Sequence, residues 1–169
     1  RATGQTGILI TGSGVPLDAV VADFMAGSIE WLTPDNDADH WDLIEGQGSL
    51  FHPSYSGVTM ALVHGGRPDA LVLCHEPTRT HMRGLPHYRL PSLEALRDLA
   101  LVTARIVNPD VEVCGVAVNT VALGEKDARL CLETIEARMG LPTVDPFRDG
   151  AARLVDALAG RLVSGAAPG

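Results

Sequence analysis

The sequence predicts an α/β fold in three layers, a mainly parallel β-sheet flanked by helices. Three observations predict it. Short β-rich runs alternate along the chain with longer stretches of helical pattern. The runs are nearly continuous in apolar residues, as in strands buried on both faces. Polar residues cluster directly after the runs, at the strand C-termini where ligands bind in open α/β sheets.

Taken in order, Gly7–Thr11 is expected as the first strand, followed by a turn at Gly12-Ser13-Gly14 and a helix from Pro16 to about Ile29. Trp41–Glu45 is expected as the second strand, running into Gly46-Gln47-Gly48-Ser49. Asp69–Cys74 is the third, Val111–Val118 the fourth and Pro142–Asp145 a short fifth. Helices are expected at Ser92–Val107, Glu125–Met139 and Ala151–Val163. Ser92 follows Pro91 as an N-cap, and Leu93, Leu96, Ala100, Thr103 and Val107 follow one face. Right-handed crossovers place every strand C-terminus on one edge. The tips there are Thr11–Gly14, Glu45–Ser49, His75–Arg79, Asn119-Thr120 and Asp145-Pro146.

The 169 residues are 46% hydrophobic and 20% charged, enough for one α/β domain over 1–163 with a fraying tail at 164–169. A domain of this size buries roughly 70% of its unfolded surface, so no metal or disulfide staple is required. The net charge of -8 excludes the broad basic face of a nonspecific nucleic-acid or anionic-membrane binder. Cys74, Cys114 and Cys131 form no metal-ligand spacing, and Cys74 and Cys114 read as small buried hydrophobes. A reducing, cytoplasmic setting follows. Gly7–Leu32 is too interrupted by Asp18, Asp23 and glycines for a signal peptide or a membrane span. The chain starts at Arg1 rather than Met, as expected of a fragment or a processed product.

Glu45 ends an apolar run and enters a glycine-rich turn. A carboxylate there can act as a base, bind Mg²⁺ or cap its own loop, while Gly46 and Gly48 let backbone N–H groups approach an anion. Gln47, Ser49 and His52 crowd the same tip, with His52 either catalytic or a loop hydrogen-bonder. Asp35, Asp37, Asp39 and Asp42 read as a solvated connection. Pro77–Pro91 holds Arg79, Arg83 and Arg89 with His81 and His87, and no carboxylate, whereas residues 2–66 hold eight Asp/Glu and no Lys or Arg. An irregular loop of this length is often functional. Its guanidiniums suit carboxylates or phosphates, against the alternative of a solvated surface loop. There is no GxxxxGK[ST] and no G-x-S-x-G, and the one lysine, Lys126, lies in a helical stretch.

The runs Trp41–Pro53 and Leu73–Gly84, with Gly115–Thr120 and Leu141–Pro146, resemble a P-loop-type family that includes D-glutamate N-acetyltransferases, the DgcN group. The strand-Glu-Gly pattern with a later Gly-Val-x-x-Asn strand also resembles dethiobiotin-synthetase-like P-loop enzymes. The resemblance implies a P-loop NTPase-like segment without its own phosphate loop. The family protein has two parts, an N-terminal Rossmann-like region leading into the P-loop and then a segment like this one. This chain is accordingly expected to correspond to the C-terminal half.

The activity implied is transfer of the acetyl group of acetyl-CoA to the amino group of D-glutamate. The amine must lose a proton before it attacks, and Glu45, His52, His75 or Glu76 can accept it. Glu76, beside arginines, can instead orient them. Donors at Gly46, Gly48 or Ser49 can stabilise the oxyanion, with Gln47 and Asn119 as further substrate contacts. Arg79, Arg83 and Arg89 can hold the carboxylates of glutamate or the phosphates of CoA. The partners expected are these two small molecules and further copies of the chain, with no nucleic acid, membrane or resident metal. The competing expectations are a Mg-ATP-dependent ligase or ATPase, with Glu45 on Mg²⁺, and a non-catalytic ligand-binding or dimerisation fragment.

Overall fold

Helices and sheets form where a backbone finds partners for its N–H and C=O groups, locally or in a neighbouring strand. The computed structural model describes residues 1–37 and 39–165, with 162–165 given by backbone alone. It divides into two compact units: Arg1–Pro68 with Ile106–Asn108, and Asp69–Arg105 with the residues from Pro109 onward.

In the first unit, α1 (Gln5–Thr11) and a single 3-10 turn (Leu17–Ala19) precede α2 (Ala22–Leu32) and α3 (Ser56–Gly66). Leu17, Ile29, Leu32 and Leu62 form its buried cluster, with Val15, Val20 and Val58 against it. Here the structure corrects several expectations. Gly7–Thr11 is helical rather than a strand. Without a ladder partner, its backbone is satisfied by i→i+4 bonds, and Gly12 closes the helix at φ 69° by donating to the Ile8 carbonyl at 2.8 Å. Trp41–Glu45 likewise forms no strand, and Leu43 is 88% exposed. The helix expected from Pro16 begins only at Ala22. Helix α3 was hidden in the sequence by β-branched Val58, Thr59 and Val63 and by three glycines.

The second unit runs β1 (Ala70–His75), a hairpin of β2 (His81–Met82) and β3 (Leu85–Arg89), α4 (Leu93–Ala104), β4 (Glu112–Val118), α5 (Glu125–Met139), β5 (Thr143–Val144) and α6 (Ala152–Gly165). The sheet has the order β1-β4-β5, all parallel, as the apolar runs required. Ser92 caps α4, its hydroxyl accepting the Ala95 N–H at 3.1 Å. Helix α6 continues to Gly165, past the expected start of the tail, and residues 166–169 lie outside the described residues.

A bulge in β4 sets which side chains enter the core. Leu71 pairs with Val113 and Val72 with Gly115, leaving Cys114 as the extra residue. Val113, Val116 and Val118 therefore share one face, packed with Leu73, with Leu93 of α4 and with Ile135 and Met139 of α5. Arg138 of α5 meets Glu94 of α4 at 2.9 Å over this layer. On the opposite face Gly115 lies under Leu154 of α6, which completes the three layers. Cys114 is buried as expected, but Cys74 is exposed, because Leu73 takes the inward position of β1. Among the described residues, no helix is long and apolar enough to cross a membrane.

Candidate functional site

Because the strands are parallel, His75, Asn119-Thr120 and Asp145 all emerge on one edge of the sheet. The His75 carbonyl accepts the Asn119 N–H at 2.8 Å, tying the first two tips together. Asn119 then folds its own loop, its Oδ1 accepting the Val121 N–H at 3.1 Å. At the third tip the Asp145 carboxylate, 1% exposed, accepts the Thr120 N–H at 3.0 Å and the Thr120 hydroxyl, along with the amides of Phe147 (2.9 Å) and Arg148 (3.3 Å). Arg148 completes this network. Its Nε donates to Thr120 Oγ1 at 2.8 Å, and its Nη2 donates to the carbonyls of Thr120 (3.2 Å) and Leu123 (2.7 Å). Burial works against charge on Asp145, but the hydrogen bonds from Thr120, Phe147 and Arg148 outweigh it and hold the carboxyl below its ordinary range. The β4–α5 loop is thus anchored from beneath by one buried carboxylate.

His75 is half-buried at this edge. Burial, then the positive charges of Arg138 and Arg79, push its pKa below the ordinary value, with Glu76 opposing them. The imidazole is neutral at pH 7 and able to accept a proton. Glu76 is instead engaged with Arg79 at 3.4 Å, three residues along the chain.

The arginine segment is more ordered than an irregular loop. Half of it folds as the β2–β3 hairpin, turning at Arg83-Gly84, where Gly84 has φ 76°. Met82 is buried and anchors the hairpin, while Arg83, His87 and Arg89 project as exposed groups. Arg89 stands opposite His81 across the hairpin.

Glu45, Gly46, Gln47, Gly48, Ser49 and His52 belong to the first unit. Glu45, Gly46 and Gln47 are exposed. The Gly48 carbonyl accepts the Thr59 hydroxyl, and a Cβ on Gly48 would meet Tyr55 Cβ at 2.7 Å, so close packing accounts for that glycine. Ser49 caps the turn that follows, its hydroxyl accepting the Phe51 N–H at 3.1 Å and its carbonyl the His52 N–H at 2.8 Å. His52, 8% exposed, leans on Tyr55 with ring centroids 4.6 Å apart and accepts the Ser54 N–H on Nδ1 at 3.1 Å. The neutral ring therefore carries its proton on Nε2. His52 builds the turn into α3.

The structure thus gathers His75, Glu76 and Asn119 at the sheet edge, while Glu45–His52 lies in the first unit, where Ser49–His52 forms a turn. Sequence reasoning missed Thr120, Asp145 and Arg148 as one network. The signal for Asp145 was its place at a strand tip. Nothing local marked Arg148. A separate open groove of about 530 Å³ lies along β5, α5 and the start of α6, lined among others by Arg129, Glu133, Glu136, Asp149 and Arg153, and none of the expected site residues reaches it.

Comparison with known proteins adds a family and relatives. Residues 1–155 match the model of a family described as DUF1611, a domain of unknown function (DUF1611_C) P-loop domain. A D-glutamate N-acetyltransferase of Tritonibacter scottomollicae is 76% identical over 159 residues, which cover 94% of this chain and 48% of that protein. One from a Pseudoalteromonas species is 51% identical over 155 residues, covering 92% and 47%. The crystal structure of a DUF1611 family protein from Anabaena variabilis superposes with a TM-score of 0.83 at 39% identity, covering 94% of this chain and 47% of that one. The chain spans about half the length of the relatives it matches.

Proposed function

The chain belongs to the DUF1611 family of P-loop domains, and on that premise we propose that it is the C-terminal half of a D-glutamate N-acetyltransferase. The observation that carries this reading is the 76% identity to a protein of that name across 94% of the chain. Acetyl-CoA is the donor. Its thioester is activated enough that the enzyme's task is to deprotonate the amine, position it and hold the oxyanion.

His75 is the group best suited to take the proton, being neutral, half-buried and at the ligand-binding edge of a parallel sheet. In the step proposed, the ammonium of D-glutamate passes one proton to His75. The amine nitrogen then bonds to the acetyl carbonyl carbon. The tetrahedral intermediate collapses with cleavage of the C–S bond, and the second amine proton leaves with the CoA thiolate as thiol. Asn119, fixed by its own turn and by the His75 carbonyl, supplies a side-chain amide beside this base. Arg83 and Arg89, exposed on the hairpin, serve the carboxylates of glutamate or the phosphates of CoA. Glu45 is the alternative proton acceptor in the first unit, because the Nε2 of His52 already carries the proton of its neutral ring.

The test is thiol release from acetyl-CoA by the relative-length protein. Release that requires D-glutamate and ignores Mg²⁺ and ATP supports the reading. The P-loop description favours one competitor, a Mg-ATP-dependent ligase or ATPase, and phosphate release from ATP coupled to the amino acid would replace acetyl transfer with it.

A further inference from the structure

Guanidiniums on a folded surface either meet carboxylates of the protein or stand ready for the anions of a ligand. The ten arginines of the second unit divide on that point, and seven of them lie against a carboxylate. Among the described residues the three without one are Arg83, Arg89 and Arg105, and the first two share the β2–β3 hairpin. No Asp or Glu occurs from Pro77 to Pro91 to neutralise them.

The hairpin is built to present these groups. It begins directly after Glu76–Thr80, at the edge that bears His75, and the chain re-enters the core at Leu93. His81 pairs with Arg89 and Met82 with Leu85, so consecutive residues of β2 face partners four apart on β3. Pro86, His87 and Tyr88 are the excess, a bulge of the kind that re-aims side chains beside functional sites, and all three are exposed. Met82, buried, is the apolar anchor. The cross-strand partner of Arg89 is thus a histidine rather than a carboxylate. Thr80 Oγ1 meets His81 Nδ1 at 2.8 Å, which fixes that ring and leaves its Nε2 for a ligand.

The two substrates ask for different cations. D-glutamate must bring its amine within about 3 Å of the base, and its α-carboxylate is one carbon from that amine. The guanidinium at that place is Arg79, which pairs with Glu76, the residue after His75, and whose charge is felt by the His75 ring. CoA carries its diphosphate and 3′-phosphate at the far end of the pantetheine arm from the thioester, so they can lie on an exposed element away from the base. We propose that the β2–β3 hairpin is the phosphate site for CoA, with Arg83, Arg89, His81 and His87 as its donors, and that the carboxylate beside the reacting amine falls to Arg79. The phosphoryl groups offer several oxygens each, which suits forked guanidiniums joined by ring N–H donors. The inference rests on the acetyl-transfer reading given above and deepens it by dividing the cations between the two substrates.

Adenosine 3′,5′-bisphosphate, which has phosphates of the CoA nucleotide and no thioester, is the probe. Calorimetric titration into the relative-length protein is expected to show binding that R83Q/R89Q weakens about 10- to 100-fold. In thiol release the same variant is expected to raise the KM for acetyl-CoA by a similar factor while the KM for D-glutamate holds. Its preference for acetyl-CoA over S-acetyl-pantetheine, which lacks the phosphates, should shrink accordingly. Bisphosphate affinity that is absent in the parent or equal in parent and variant would overturn the inference. A matching rise in the D-glutamate KM, or equal losses with both thioesters, would also overturn it, by placing the hairpin on the amino acid or in the fold. The two readings fail separately: a protein that binds the bisphosphate through the hairpin but releases no thiol with D-glutamate loses the acceptor and keeps this site.

Discussion

A proton on His75 would sit half-buried beside the guanidiniums of Arg138 and Arg79, and that is why the ring stays neutral. With the base form required, the rate falls only as pH drops through a pKa below about 6.5, and it is flat above that. In the relative-length enzyme, H75Q is expected to lower D-glutamate-dependent thiol release about 100- to 10,000-fold, and an acid limb at or above 6.5 in the parent would remove His75 as the base. Asp145 matters for stability instead. Its folded pKa is depressed, so its contribution is complete above the unfolded value near 4 and is lost as pH falls through the folded one. D145A strands the Thr120 hydroxyl and Arg148, and should cost about 3–5 kcal/mol in urea unfolding at pH 7, a margin that narrows below about pH 4. At this scale the sequence was informative where a role follows from strand position, as for His75, Asn119 and Asp145. It was silent on Arg148, whose acceptors on Thr120 and Leu123 are 28 and 25 residues away in sequence.

Local signals identified the elements of the second unit well because each carries its own boundary. Ser92 opens α4 and Gly140, at φ 64°, ends α5. S92A removes the cap bond to Ala95 and should lower stability by about 1 kcal/mol, measured by thermal or urea unfolding. In the first unit the decisive partners are not local. Gly7–Thr11 has the β-branched content of a strand, but a strand needs a ladder, and the segment folds as a helix with Leu9 84% exposed. The α2–α3 crossing depends equally on one distant contact. A Cβ on Gly65 would strike the Ala26 carbonyl oxygen and stand 2.7 Å from Ile29 Cβ. G65A is therefore expected to cost about 1–3 kcal/mol despite the better helix propensity of alanine, and a neutral or stabilising result would show that the crossing tolerates a wider spacing.

Over the whole chain the charge and the core divide along the same line. The first unit sets eight carboxylates against Arg1 and Arg67, and the second sets thirteen against eleven basic residues, so most of the net -8 belongs to the first. That unit also has the smaller buried cluster, four residues against seven, and a helix α1 that buries none of its own. Self-repulsion and a thin core both lower its stability relative to the second unit. Both tryptophans, Trp31 and Trp41, fall in it, so tryptophan emission reports the first unit while far-UV circular dichroism follows helices of both. Urea titration is expected to give two transitions, with the emission change complete before the last of the helical signal is lost. Added salt should move the first midpoint upward more than the second, because screening relieves the unit that carries the larger net charge. Coincident curves from the two probes at every salt concentration would mean that the clusters unfold as one cooperative body, and the lower stability assigned to the first unit would have no observable counterpart.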